Sequence, residues 1–292
     1  MHPAPSIILF TTLSGLGFGM LAFLGFDIAS PGGWTAFVFF FIAFALAVGG
    51  LMSSTFHLGH PERALKAFTQ WRSSWLSREA WAAVVALGLM GLYAIGSVFF
   101  DARWSLLGWL GGIMSLVTVF ATSMIYTQMR TVPRWNHWSP PVLFLGYALA
   151  GGALLTGRVT PAIVLMLAVL VLQVVAWFDQ DRHESSSDTT LATATGLGHL
   201  GQVRAFEPPH TGSNYLTKEM VFRVGRKHAQ KLRAISAALI GPVPVLFLLL
   251  EFNHVFAVLA VLAFLAGVLV QRWLFFAEAR HVVGLYYPQG RR

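Results

Sequence analysis

Residues 53–81 read SSTFHLGHPERALKAFTQWRSSWLSREAW and sit between two almost purely apolar runs. Two histidines, four basic residues, two glutamates and three tryptophans crowd into this one connection. His57 stands where the first apolar run ends, and Glu79 where the next begins. A histidine exchanges protons near neutral pH, and a neighbouring carboxylate can raise its pKa or relay its proton. Arg63, Arg72 and Arg78 offer charge to hold that carboxylate or to polarise a carbonyl. Trp71, Trp75 and Trp81 offer flat apolar walls. The combination suits a quinone, a flat apolar ring whose oxygens gain or lose protons as electrons move. It suits equally an ordinary interfacial belt of Trp and Arg. Residue types alone leave both readings open.

A second polar stretch, YTQMRTVPRWNHWSPP, begins at Tyr126, about one turn before the end of another apolar run. Its phenol is within reach of a ligand at the membrane interface. Pro133 and Pro140 stiffen the connection, and Trp135 and Trp138 mark its boundary, which also fits a rigid turn with an aromatic belt. All ten histidines fall in loops, tails or run ends, so no facing pair at mid-membrane is available to ligate haem. The chain has no cysteine, which excludes disulfides, thiolate zinc sites and covalently attached haem. An iron–sulfur cluster ligated by Cys would have to belong to another chain.

The elements that position these groups follow from composition. Of 292 residues 56% are hydrophobic and 11% charged, whereas a soluble domain carries about 25% charged residues. Eight apolar runs are long enough for helical membrane spans, at about 5–27, 34–56, 80–100, 104–129, 140–157, 160–178, 234–251 and 254–276, the fifth being the shortest. The expected fold is all-α: a single polytopic membrane domain, 1–292, with eight transmembrane helices. The opening MHPAPSIILFTTLSG has no positive n-region, and its apolar run exceeds a signal h-region, so it reads as a retained first span. GPVP at 241–244 predicts a kink in the seventh span.

Eight spans put both termini on one side, together with the connections after spans 2, 4 and 6. Those segments hold 18 of the 20 basic residues, and the opposite side keeps only Arg103 and Arg158. Discounting the long 179–233 connection still leaves ten against two. The positive-inside rule then places both termini in the cytoplasm of a bacterial inner membrane. A sequence pI near 10.3 therefore reflects topology, and nucleic acid is not the expected partner. The 179–233 connection opens with a polar, Ser/Thr/Gly-rich part. It continues, over 214–233, as a basic amphipathic helix able to lie on anionic lipid or to dock a partner subunit.

HLGHPERALKAF with SWLSREAW, and the TVP–W pattern after Tyr126, resemble the DmsC family within the wider NrfD-like group. These are quinone-interacting membrane anchors of dimethyl sulfoxide reductase and related molybdenum enzymes. The resemblance runs nearly the whole length, from MHPAPSIILFTTLSGLGFG onward. It implies an anchor without haem that binds a four-cluster iron–sulfur subunit, which in turn serves a molybdopterin catalytic subunit. The family's important histidine falls on His57, its acidic residue at the head of the next span on Glu79, its tyrosine on Tyr126 and its arginine on Arg63. His60, Arg72 and Arg78 join the candidate quinone site by proximity, and Trp75 as one of its apolar walls. His57 and Glu79 are the expected proton-exchanging pair, and ubiquinone or menaquinone the expected quinone.

The segment TATGLGHLGQVRAFEPPHTGSNYLTKEMVFRVGRKHAQKLR resembles the version in cytoplasm-facing sulfite dehydrogenases of the same family. With the charge count, this favours electrons passing from sulfite oxidation to quinone. The same anchor run in reverse, oxidising quinol for a dimethyl sulfoxide reductase, is the alternative. A transporter is the remote one, since transporters keep polar groups at mid-membrane and these spans do not.

Overall fold

A computed structural model describes residues 1–57, 60–186, 189–207, 209–210, 212, 214–221, 228–250 and 253–287, with the side chains of His57 and Pro61 outside that set. Among the described residues every regular element is helical. The α-helices are α1 (Pro5–Gly25), α2 (Gly33–Ser53), α3 (Trp75–Phe99), α4 (Ser105–Thr127), α5 (Ser139–Leu155), α6 (Val159–Ser185), the short α7 (Leu191–Thr195), α8 (Ala229–Ile240), α9 (Pro242–Leu249) and α10 (His254–Ala277). Seven stretches are long and apolar enough to cross a membrane, with α8 and α9 counting as one. The fifth expected span, α5, has 17 residues. That is about 25 Å of helix, less than the hydrocarbon core of about 30 Å.

α1 forms the centre. It is apolar on every side and largely buried, as a helix without a polar face must be. α2, α4 and α5 surround it, α3 packs on α4, α6 on α5, and α10 carries α8 and α9. Helices in lipid associate by close packing rather than by escape from water. At the α1–α5 crossing Gly19 faces the Ala148 backbone and Gly152 the Gly19 backbone, and a Cβ on either would overlap the other helix.

The helix ends depart from hydropathy in three places. α6 continues to Ser185, beyond the expected 178, because DQDRHES remains helical once its carboxylates are paired. α3 starts at Trp75 rather than 80. The seventh span breaks at Gly241 between α8 and α9, where the Pro242–Pro244 pair stands. The expected amphipathic helix 214–233 is only partly described: a π-turn runs Leu216–Met220, α8 begins at Ala229, and 222–227 lie outside the described residues.

One end of the bundle is closed by ion pairs. Arg134, buried in the α4–α5 connection, donates to Asp181 at 2.6 Å, Glu184 at 3.3 Å and Glu278 at 3.1 Å. Arg233 at the start of α8 donates to Asp181 at 2.7 and 2.8 Å and to Glu278 at 2.8 Å. Arg280 adds a contact to Glu184 at 3.4 Å, so three cations balance three anions. The N-terminal amine donates to the Ala279 carbonyl at 2.6 Å, and Trp135 Nε1 to the Phe275 carbonyl at 2.9 Å. The cluster thus ties α6, α8, the end of α10, the N-terminus and the α4–α5 connection into one cap.

Removing one partner from a buried pair strands the other charge, at about 3–5 kcal/mol. Arg134→Met is expected to destabilise the detergent-solubilised protein by about 3 kcal/mol, whereas exposed Arg280→Met should cost about 1 kcal/mol or less. Thermal unfolding of the two variants measures the difference.

Candidate functional site

Because α3 begins at Trp75, Arg78 and Glu79 belong to its first turns. Ser74 is extended, and the Arg78 amide donates to the Ser74 carbonyl at 3.1 Å. Glu79 then points into the bundle and is 3% exposed. Its Oε1 is hydrogen-bonded to the Thr122 hydroxyl of α4. That hydroxyl also lies 3.0 Å from the Thr118 carbonyl, one turn back on its own helix. A hydroxyl has one proton to donate and lone pairs to accept with. If Glu79 is ionised, Thr122 donates to it. If Glu79 carries a proton, Thr122 accepts that proton's hydrogen bond and donates to Thr118. The carboxyl is therefore satisfied in both states, as a group that exchanges protons requires.

Tyr126 lies one turn beyond Thr122 on α4, near enough to Glu79 for the carboxylate charge to act on the phenol. Its buried ring stands edge-on to Trp135 at 5.3 Å, Phe275 at 5.4 Å and Phe276 at 5.5 Å, with Phe144 at 6.0 Å. The box explains the aromatic spacing of the second polar stretch: Trp135 is not a surface belt residue but packs flat on Phe275 at 5.2 Å. In the same connection His137 sits 3.2 Å from Asp179, and burial lowers its pKa although that carboxylate opposes the shift.

On the other side of the box Arg272 of α10 is 2% exposed. Its guanidinium lies 3.5 Å over the Phe144 ring and 5.4 Å from Tyr147. Its Nε and Nη1 are buried without a hydrogen-bond partner. Its charge also acts on Tyr126. Below it, Tyr147 donates to Gln173 at 2.8 Å. A desolvated cation over an aromatic face gains about 2 kcal/mol, less than the several kcal/mol that burying a charge costs. Sequence reading treated Arg272 as one more cytoplasmic-side charge. The missed signal was its place five residues inside the helix end, flanked by LVQ and WLFFA.

The other candidate residues with described side chains do not converge on this interior. His57 closes the turn Ser54–His57, and its side chain lies outside the described residues. His60 pairs with Glu62 at 2.9 Å on the surface. Arg63 is exposed, and Arg72 lies over Trp71 at 5.4 Å. Arg78 donates to the Trp71 carbonyl at 3.1 Å and the Arg72 carbonyl at 2.7 Å, and stacks on Trp75 at 4.4 Å. Trp81 donates to the Phe68 carbonyl at 3.0 Å. These side chains fold the connection onto α3, and no described cation pairs with Glu79. A cavity of about 310 Å³ at the opposite end, lined by Leu154, Phe247, Val258 and other apolar groups with Asn253, offers no acid or base.

Residues 1–277 match the family described as DMSO reductase anchor subunit (DmsC). The chain belongs to the DmsC family. This DmsC-family chain is also 34% identical to a sulfite dehydrogenase subunit of Allochromatium vinosum, over 98% of its own length and 99% of that protein. Long apolar helices and family together make it a multi-pass membrane protein.

The role of Arg78 in the connection is testable. Arg78→Ala removes two hydrogen bonds from a charged donor, each worth about 1.5–3 kcal/mol when sheltered and less at this surface. Limited proteolysis within 60–74 should speed up roughly tenfold, the equivalent of about 1.4 kcal/mol of lost local stability. Arg63→Ala should leave the rate as it is.

Proposed function

We propose that this chain is the quinone-reactive membrane anchor of a molybdenum and iron–sulfur complex that passes electrons from sulfite to the quinone pool. The observation that carries the reading is the buried Glu79 carboxyl, held by a hydroxyl that serves it protonated or ionised, beside Tyr126 and an aromatic box. Sulfite and water yield sulfate, two electrons and two protons in the catalytic subunit. The electrons cross the partner's iron–sulfur clusters to quinone, which takes two electrons and two protons to become quinol. In this chain Glu79 delivers a proton to a quinone oxygen and Thr122 compensates its change of charge. His57, retained from the sequence pattern, exchanges protons with the cytoplasm. Arg63, Arg72 and Arg78 shape the connection above the site, and Trp75 walls it.

The complex partner is an iron–sulfur subunit docked on the cytoplasmic face, with both termini and the 179–233 connection on that face. The chain crosses the inner membrane eight times, α5 making the short crossing. The name of the 34%-identical relative supports sulfite as the electron source. The family description supports a second reading, in which the same site oxidises quinol for a reductase. The residues work in either direction, since each proton step is reversible.

Loss of a positioned acid–base group typically costs about 10²–10⁴ in rate. Glu79→Gln is expected to lower sulfite-dependent quinone reduction about a hundredfold or more, and His57→Ala to abolish it. Both variants should still copurify with partner subunits that oxidise sulfite with an artificial acceptor. Full quinone turnover in Glu79→Gln would remove this site from the reaction. The topology has its own test. The natural chain has no cysteine, so single cysteines placed at Arg158 and at Leu200 should label from opposite sides of the membrane.

A further inference from the structure

We propose that Arg272 is the second quinone-holding residue of the site, donating hydrogen bonds to the ring oxygen that Glu79 does not reach. The inference rests on the quinone reading above and assigns the other end of the ligand. Glu79 lies four residues into α3 and Arg272 five residues before the end of α10, so their Cα atoms sit about 6 and 7.5 Å inside the ends of their own helices. Tyr126 connects them: it lies one turn beyond Thr122, which holds Glu79, and its ring stands 6.0 Å from Phe144, over which the Arg272 guanidinium lies at 3.5 Å. One side presents a carboxyl, the other a guanidinium whose Nε and Nη1 have no partner. Among the described residues, the titratable and charged groups around Tyr126 are Glu79 from α3, Tyr147 from α5 and Arg272 from α10.

Each alternative use of Arg272 meets an objection. A packing role against Phe144 and Tyr147 would be served by Met or Leu without burying a charge. An internal ion pair with Glu79 is not formed, since no described carboxylate lies within 4 Å of Arg272. A buried guanidinium with free N–H groups calls for an acceptor that arrives from outside. A quinone supplies one, with a carbonyl oxygen at each end of a flat apolar ring. Guanidinium keeps its proton throughout, so Arg272 moves none. It holds the far oxygen as two electrons enter the ring, Glu79 gives a proton to the near oxygen, and the second proton comes from cytoplasmic water.

The test uses the purified complex with a short-chain ubiquinone analogue, rates being normalised to assembled complex. Arg272→Met should raise KM for the quinone at least tenfold, and Arg272→Lys, which keeps the charge but loses the planar fork, about threefold. The larger change should fall on KM rather than kcat, which a general loosening of the fold would not select. If Arg272→Met does not assemble, Arg272→Lys decides alone. Unchanged KM in Arg272→Lys, or in an assembled Arg272→Met, overturns the assignment while a defective Glu79→Gln keeps the quinone site itself. Recovery in the double variant Glu79→Gln, Arg272→Met would make Arg272 a counter-charge and also overturn it. Normal turnover in Glu79→Gln together with normal KM in both Arg272 variants removes the underlying quinone reading as well.

Discussion

A polar group carried into a bilayer must find its partner inside the protein, because no water is there to supply one. That constraint organises the whole chain. The packing of α1 against α2, α4 and α5 is made from glycine, alanine and apolar contact, and Ser14 and Thr11 turn their hydroxyls back on their own helix, to Phe10 and Ile7. Charge is confined to the two ends. At one end Asp27 takes a bond from Tyr93 at 2.6 Å and a contact from Arg103 at 3.4 Å. At the other the Arg134 cluster and the bonds beside it gather three helices, the N-terminus and the α4–α5 connection around balanced charges. Glu79 and Arg272 are buried ionisable groups of opposite sign that the packing leaves apart, Glu79 bonded to Thr122 and Arg272 with two N–H groups unpartnered.

The cap and the site depend on each other. Trp135 is fixed by its bond to the Phe275 carbonyl, and Phe275 and Phe276 form two walls around Tyr126. Arg134, one residue before Trp135, is held by carboxylates from α6 and from the end of α10. The ion cluster therefore sets the register of α10 against the α4–α5 connection. That register decides where Arg272 lies relative to Tyr126. A surface ion pair contributes little to stability, but one buried at a helix junction fixes geometry. Here its consequence is the spacing between an acid and a guanidinium that have no direct contact.

Much of this architecture was legible in the sequence. The apolar runs give the helices, GPVP gives the break at Gly241, and Glu79 and Tyr126 were recognisable from their patterns. What hydropathy could not give is where a helix continues through charge. Trp75 to Glu79 and Asp179 to Ser185 are helical because Ser74 starts one and the Arg134 cluster neutralises the other. Sequence proximity also says little about where an arginine side chain is engaged. Arg72 and Arg78 lie near Glu79 along the chain, yet they bond or stack within their own connection. Arg272, almost two hundred residues away, is the cation on the far side of Tyr126. A count of charges does not distinguish a cation facing headgroups from one facing the bundle interior.

That distinction bears on orientation. The positive-inside rule concerns basic residues that meet water and headgroups at the membrane surface. Arg134 and Arg272 are buried and do neither. Setting them aside leaves eight of the ten basic residues outside the long connection, still against Arg103 and Arg158. Arg103 is itself engaged with Asp27 and the Ser30 carbonyl. The asymmetry thus persists after the structurally committed charges are removed, and the proposed cytoplasmic placement of the polar end rests on the residues that the rule describes. The same end carries Glu79, so a proton taken up by the quinone would come from the side on which sulfite oxidation releases its own. In that arrangement electron transfer consumes protons where the catalytic reaction produces them, and the chemistry at Glu79 alone separates no charge across the membrane.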